Sequence, residues 1–160
     1  MKRKKCFLII CCLLLLLLCS FIIVFFFKGT GNKILLPKDN SAEEWNGDQK
    51  LPSGEKSDEK TIKIPGISSL VFIANQKEQK VNFYNPKENT CLFRMTLYIE
   101  ENPYWQSGYI DPGKGYYSIA LDNVLKSGDY NGYLLIECFK DNGTALNNAK
   151  VEFQLKVVDE

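Results

Sequence analysis

The feature that most constrains this chain is an unbroken apolar run, Cys6–Phe27, reading CFLIICCLLLLLLCSFIIVFFF, 22 residues without a charge. At about 1.5 Å of rise per residue a helix of that length reaches roughly 33 Å, against a bilayer hydrocarbon core of about 30 Å. Residues 1–5, Met-Lys-Arg-Lys-Lys, place four positive charges directly before it. Such charges stay on the cytoplasmic side. The pattern therefore predicts a basic cytoplasmic tail over 1–5, one transmembrane α-helix over 6–27, and everything after it outside the cell. A cleaved signal peptide would have a shorter apolar core, about 7–15 residues. Gly29-Thr30-Gly31 offers small residues for cleavage, but no A-x-A site follows the run. A lipoprotein would be modified at Cys19, where a small preceding residue is wanted and Leu18 stands instead. The uncleaved anchor fits best. Inside the run Cys6, Cys11, Cys12 and Cys19 serve as small apolar residues.

Residues 28–60 have different physics. They hold four Gly, two Pro, three Ser and three Asn, with six Lys against seven acidic residues, and little that is apolar. Such a stretch cannot bury enough surface to offset its ordering entropy, so it is expected to be a disordered linker. As a flexible coil it would reach roughly 30 Å. Trp45, beside Glu43 and Glu44, stands alone in it and carries little weight.

Residues 61–160 are long enough for one modest core. Period-two alternation dominates them. Val151, Phe153, Leu155 and Val157 alternate with polar residues, and Cys91, Phe93, Met95, Leu97 and Ile99 form one face of a long strand. Further strands are expected over 80–85, 115–121 and 132–139, with shorter ones over 61–64, 69–74 and 104–109. Asn85-Pro86, Asp111-Pro112-Gly113, Ser127-Gly128-Asp129 and Asp141-Asn142-Gly143 supply the reversals. Seven to eight strands without helices predict an all-β sandwich.

The segment Ile110–Phe139, IDPGKGYYSIALDNVLKSGDYNGYLLIECF, carries a resemblance. A Pro-Gly turn, a strand, then Leu125, Gly128 and Tyr130 leading into another strand is similar to bacterial immunoglobulin-like modules. The whole layout resembles small single-pass, membrane-anchored surface proteins of Gram-positive bacteria, and 18 Lys to two Arg would fit such a genome. The resemblance implies an immunoglobulin-like ectodomain over 61–160 and a structural corner at Tyr130, buried and bonded to nearby backbone. It departs from antibody-type domains in having Ile136 two residues before Cys138, and a short Cys91–Cys138 spacing. In the immunoglobulin ordering, strands 91–100 and 132–139 are antiparallel neighbours. Cys91 and Cys138 would then meet inside the core, as a disulfide on an oxidising side of the membrane or as a pair of buried thiols.

Chemistry is sparse. Without histidine the chain cannot build a Ser-His-Asp or Cys-His site. Glu100, Glu101 and Asp141 are carboxylates at strand ends, where solvated charge is ordinary, so no catalytic residue is expected and the chain reads as no enzyme. Asp122, Asn123 and Asp129 are too sparse for calcium, Gly113-Lys114-Gly115 lacks the context of a phosphate loop, and no metal or cofactor is expected. A net charge of +1 gives no basic surface for nucleic acid. The aromatic cluster Tyr104, Trp105, Tyr109, Tyr116 and Tyr117 could anchor a partner. The competing reading has Trp105 and Tyr109 on one strand face filling the core. The expected function is non-catalytic interaction at the cell surface, with a protein or cell-wall glycan as partner. A carbohydrate-binding module and an accessory subunit of a membrane complex remain alternatives.

Overall fold

The computed structural model of the protein describes residues 36–47, 61–67 and 69–160. The basic tail and the expected membrane helix over 6–27 lie outside them, and among the described residues no helix is long and apolar enough to cross a membrane. All regular structure is β: β1 (Glu43–Glu44), β2 (Ser69–Ile73), β3 (Glu78–Tyr84), β4 (Leu92–Ile99), β5 (Asn102–Gln106), β6 (Lys114–Ala120), β7 (Gly128–Phe139) and β8 (Ala145–Val158). They form two sheets, ordered β1-β6-β3 and β2-β8-β7-β4-β5. Every ladder is antiparallel except β2 with β8.

The alternation legible in the sequence is what the sheets bury. Phe93, Met95, Leu97 and Ile99 of β4, Leu134 and Ile136 of β7, and Phe153, Leu155 and Val157 of β8 face Val81, Phe83 and Ile119 of the smaller sheet in one apolar cluster. Each such side chain contributes about 1.5–3 kcal/mol on burial. The result is a β-sandwich-like layering. The expected strand over 61–64 does not form. Both backbone polar groups of Lys63 bond the Asn89 side chain instead, the N–H donating to Oδ1 (2.8 Å) and the carbonyl accepting from Nδ2 (2.9 Å).

The expected linker also needs correction. Over residues 36–47 the chain packs as a strap on the sandwich, while 48–60 lie outside the described residues. Glu43 and Glu44 pair with Gly115 and Lys114 at the edge of β6. Ala42 is buried, and Trp45 is only 8% exposed. Composition hid this because two side chains, Asp39 and Trp45, carry most of the docking. The Asp39 carboxylate accepts from Tyr116 Oη (2.6 Å), the Gly108 N–H (2.6 Å) and both N–H and hydroxyl of Ser41. The Trp45 ring stacks between Tyr84 (4.7 Å, 4°) and Tyr117 (4.5 Å, 18°). Gly115 lets β6 approach β3 closely beside Tyr84, since a Cβ there would lie 2.5 Å from the Phe83 carbonyl oxygen.

Tyr130 forms the expected local bond, its hydroxyl donating to the Lys126 carbonyl at 3.0 Å. The residue is half-buried rather than buried, because it packs inward near the start of β7, where only the margin of the core cluster covers it. Tyr130→Phe is therefore expected to cost about 0.5–1 kcal/mol, toward the low end for one net hydrogen bond. Denaturant midpoints of the two proteins check it.

Burial pushes the Asp39 carboxyl up, but its hydrogen bonds from Ser41, Tyr116 and Gly108 outweigh that and hold it at about 2. A carboxyl depressed in the folded state stabilises above its unfolded value, near 3.9, and loses that contribution as pH falls. Strap docking, followed by the emission of Trp45, should hold above about pH 4 and weaken as pH drops toward 2. Asp39→Asn should flatten this dependence, and Asp39→Ala should weaken docking by about 1–3 kcal/mol by leaving the buried Tyr116 hydroxyl unpaired.

Candidate functional site

The outer face of the five-stranded sheet concentrates chemistry that the core does not use. Since β4 and β7 send odd and even residues inward respectively, their outward positions face each other in register. Tyr98 lies opposite Tyr133 and Arg94 opposite Glu137. The Tyr98 and Tyr133 rings stack at 4.6 Å and 11°. Arg94 forms a two-pronged pair with Glu137, Nε donating to Oε2 (2.9 Å) and Nη2 to Oε1 (3.0 Å). Its guanidinium carbon sits 5.3 Å from the Phe139 ring centre and 5.8 Å from that of Tyr109. Those two rings meet edge to face at 5.1 Å. Planar cations held over aromatic faces in this way are rigid recognition elements.

One end of this face is strained and acidic. Glu100 and Glu101 form the two-residue turn between β4 and β5, both with positive φ (47° and 65°). A turn of this hand favours Asn-Gly, so two glutamates there cost about 1–2 kcal/mol each. The Glu100 carboxylate accepts the Asn131 N–H at 2.7 Å, which helps to hold the turn. Beside it an open cleft of about 570 Å³ is lined by Glu100, Glu101, Asn131, Tyr133, Lys150, Glu152 and Gln154 among others. Lys150 Nζ lies 4.1 Å over the Tyr133 ring and 3.1 Å from the Glu152 carboxylate. The Glu152 hydrogen bond pushes the Lys150 ammonium up, so it stays charged at neutral pH. Three carboxylates against one ammonium make the cleft net acidic. Glu101 and Glu100 were visible in the sequence as carboxylates; that they share a cleft with Tyr133 and Lys150 follows only from the β4–β7 and β7–β8 registers together.

The expected aromatic anchors are divided between locations. Tyr116 is buried at 6% exposure, so it is not a surface residue; burial and the Asp39 hydrogen bond both raise its hydroxyl. Trp105 points inward, tilted against Phe83 (6.0 Å) and edge-on to Tyr116 (5.0 Å). Tyr104 is half-buried against the core. Tyr109 stands on the outer face beside Arg94, not on one face with Trp105, because β5 ends at Gln106 and Ser107-Gly108 shifts the phase. These rings form no coplanar platform. Asp141 lies in the β7–β8 turn, at the opposite end of β7 from Glu100 and Glu101, and among the described residues no three Cys, Asp or Glu converge as a metal would need.

Cys91 and Cys138 do meet. Cys138 sits opposite Phe93, so Cys91 is its diagonal neighbour on the same inward face, and both are buried free thiols. Burial, then the neighbouring Cys91 thiol, pushes Cys138 up to about 12, and burial raises Cys91. No protein-family model, curated protein or solved structure matches this chain. Neutral, buried thiols react slowly. Alkylation of the native chain at pH 8 should therefore label Cys91 and Cys138 at least about tenfold more slowly than after unfolding without reductant, read by peptide mass mapping.

Proposed function

We propose that this protein is a non-catalytic interaction protein of the cell surface, anchored by residues 6–27 and presenting an immunoglobulin-like domain outside. The charge-free run and its basic flank support the anchor and its orientation. The immunoglobulin-like assignment is supported by the sheet order β8-β7-β4-β5 with β3 and β6 in the other sheet, which corresponds to strands G, F, C and C′ facing B and E. A layout typical of Gram-positive surface proteins fits the same reading.

The observation that carries the interaction role is the outer face of β4 and β7. It combines stacked Tyr98 and Tyr133, the ring-flanked Arg94, a strained turn and an acidic cleft. Aromatic and arginine side chains held rigid on a sheet are what protein interfaces use as anchors. The cleft selects a partner that brings a basic group to Glu100, Glu101 and Glu152. One Tyr133 face is covered by Tyr98 and Lys150 lies over the ring, so stacking on a sugar has little room there.

Two measurements test this. A membrane-impermeant amine label applied to intact cells should modify lysines of residues 61–160, and full protection would place the domain inside. A photo-crosslinker at position 133 should yield a discrete protein adduct on intact cells, while one at exposed Asn82, on the other sheet, should not. Equal adducts from both positions would remove the outer face from consideration.

A further inference from the structure

The strap over residues 36–47 occupies a groove with the features of a peptide-recognition site. Its occupant adds a short strand to a sheet edge, Glu43–Glu44 on β6. It inserts one aromatic anchor between two rings, Trp45 between Tyr84 and Tyr117. It seats one carboxylate, Asp39, on the Tyr116 hydroxyl and the Gly108 N–H. Backbone bonds from Asp39 N to the Tyr109 carbonyl and from Trp45 N to the Gly113 carbonyl, both 2.8 Å, fix the register. Strand addition with side-chain pockets is a general mode of peptide capture.

We propose that this groove also accepts the same segment from a second copy of the chain, so that two copies exchange straps. Two observations favour that occupant. All the groove's recognition elements match Asp39 and Trp45 of this sequence, so a second copy brings a complementary segment without any new chemistry. Residues 48–60, thirteen positions, separate Gly47 from Thr61; extended, they reach roughly 45 Å, long enough for the strap to cross to a neighbour. Exchange leaves every strap contact intact, so it needs only enough copies nearby to compete with the tethered segment.

Complementary variants of the full-length chain in detergent test this. Trp45→Ala keeps the groove and removes the anchor; Tyr117→Ala keeps the strap and removes one exposed wall of the groove, with Tyr84→Ala as a second groove variant. Neither alone should dimerise, and the double variant Trp45→Ala/Tyr117→Ala serves as the control for chance sharing of micelles. Mixing the two single variants should give a one-to-one complex by light scattering, with tryptophan emission shifted to the blue of the sum of the separate spectra. The wild-type chain, its strap held in its own groove, should bind the Trp45→Ala variant at least about tenfold more weakly than the Tyr117→Ala variant does. Mixtures that remain monomeric at several hundred micromolar would overturn the proposal. So would a dimer of Trp45→Ala alone, which would place the contact elsewhere.

Discussion

The buried amide of Asn85 holds the parts of this domain together. It is completely inaccessible to solvent, and its Nδ2 donates to the carbonyls of Cys91 (2.9 Å) and Ile110 (3.0 Å). Its Oδ1 accepts from Asn89, which in turn clamps the backbone of Lys63. Its own carbonyl accepts the Gly113 N–H, and the Gly113 carbonyl accepts Trp45 N–H. One side chain therefore joins the end of β3, the start of β4, the 110–113 turn and the segment before β2. A buried amide with unmet bonds would cost about 1–3 kcal/mol for each lost partner, so these segments are fixed as a group. The strap reaches that group through the Trp45–Gly113 backbone bond and the exposed Lys38–Asp111 pair.

The two sheets divide their labour. The three-stranded sheet turns its outer face to the chain's own strap, and its aromatic rings are consumed there by Trp45. The outer face of the five-stranded sheet carries Tyr98, Tyr133 and Arg94, the last flanked by Tyr109 and Phe139. Its rings and charges are paired with one another, which keeps them ordered without a ligand. Preordered side chains lose less entropy when a partner arrives. The cost is visible in the Glu100-Glu101 turn, where φ is positive at both residues.

Exposed ion pairs contribute little to this picture. Lys38 and Asp111 meet at 2.7 Å in solvent, where such a pair is worth about 0–1 kcal/mol. The strap is held instead by the half-buried Asp39 carboxylate and the enclosed indole. Both lie in a lower dielectric, where hydrogen bonds and stacking are stronger.

The all-β character, most strand positions and the inward faces of β4, β7 and β8 were legible in the sequence, because alternation with period two directly encodes which residues reach the core. The meeting of Cys91 and Cys138 was legible for the same reason, once β4 and β7 were taken as antiparallel neighbours. Tyr130 was legible as a local bond, its acceptor being only four residues upstream. The role of Trp45 was not, because its partners lie 39 and 72 positions away in Tyr84 and Tyr117, and nothing local distinguishes it from an exposed ring. Tyr109 was misplaced because the Ser107-Gly108 loop shifts its phase from that of Trp105, and Tyr116 because it lies in the other sheet, with its hydroxyl on the Asp39 carboxylate that residues 36–47 bring from far away in the chain. Asn85 read as an ordinary turn residue, and only the packing of four separate segments around it made it the hub. Local alternation determined the strands; the contacts that define both surfaces are long-range, and only the tertiary structure decided them.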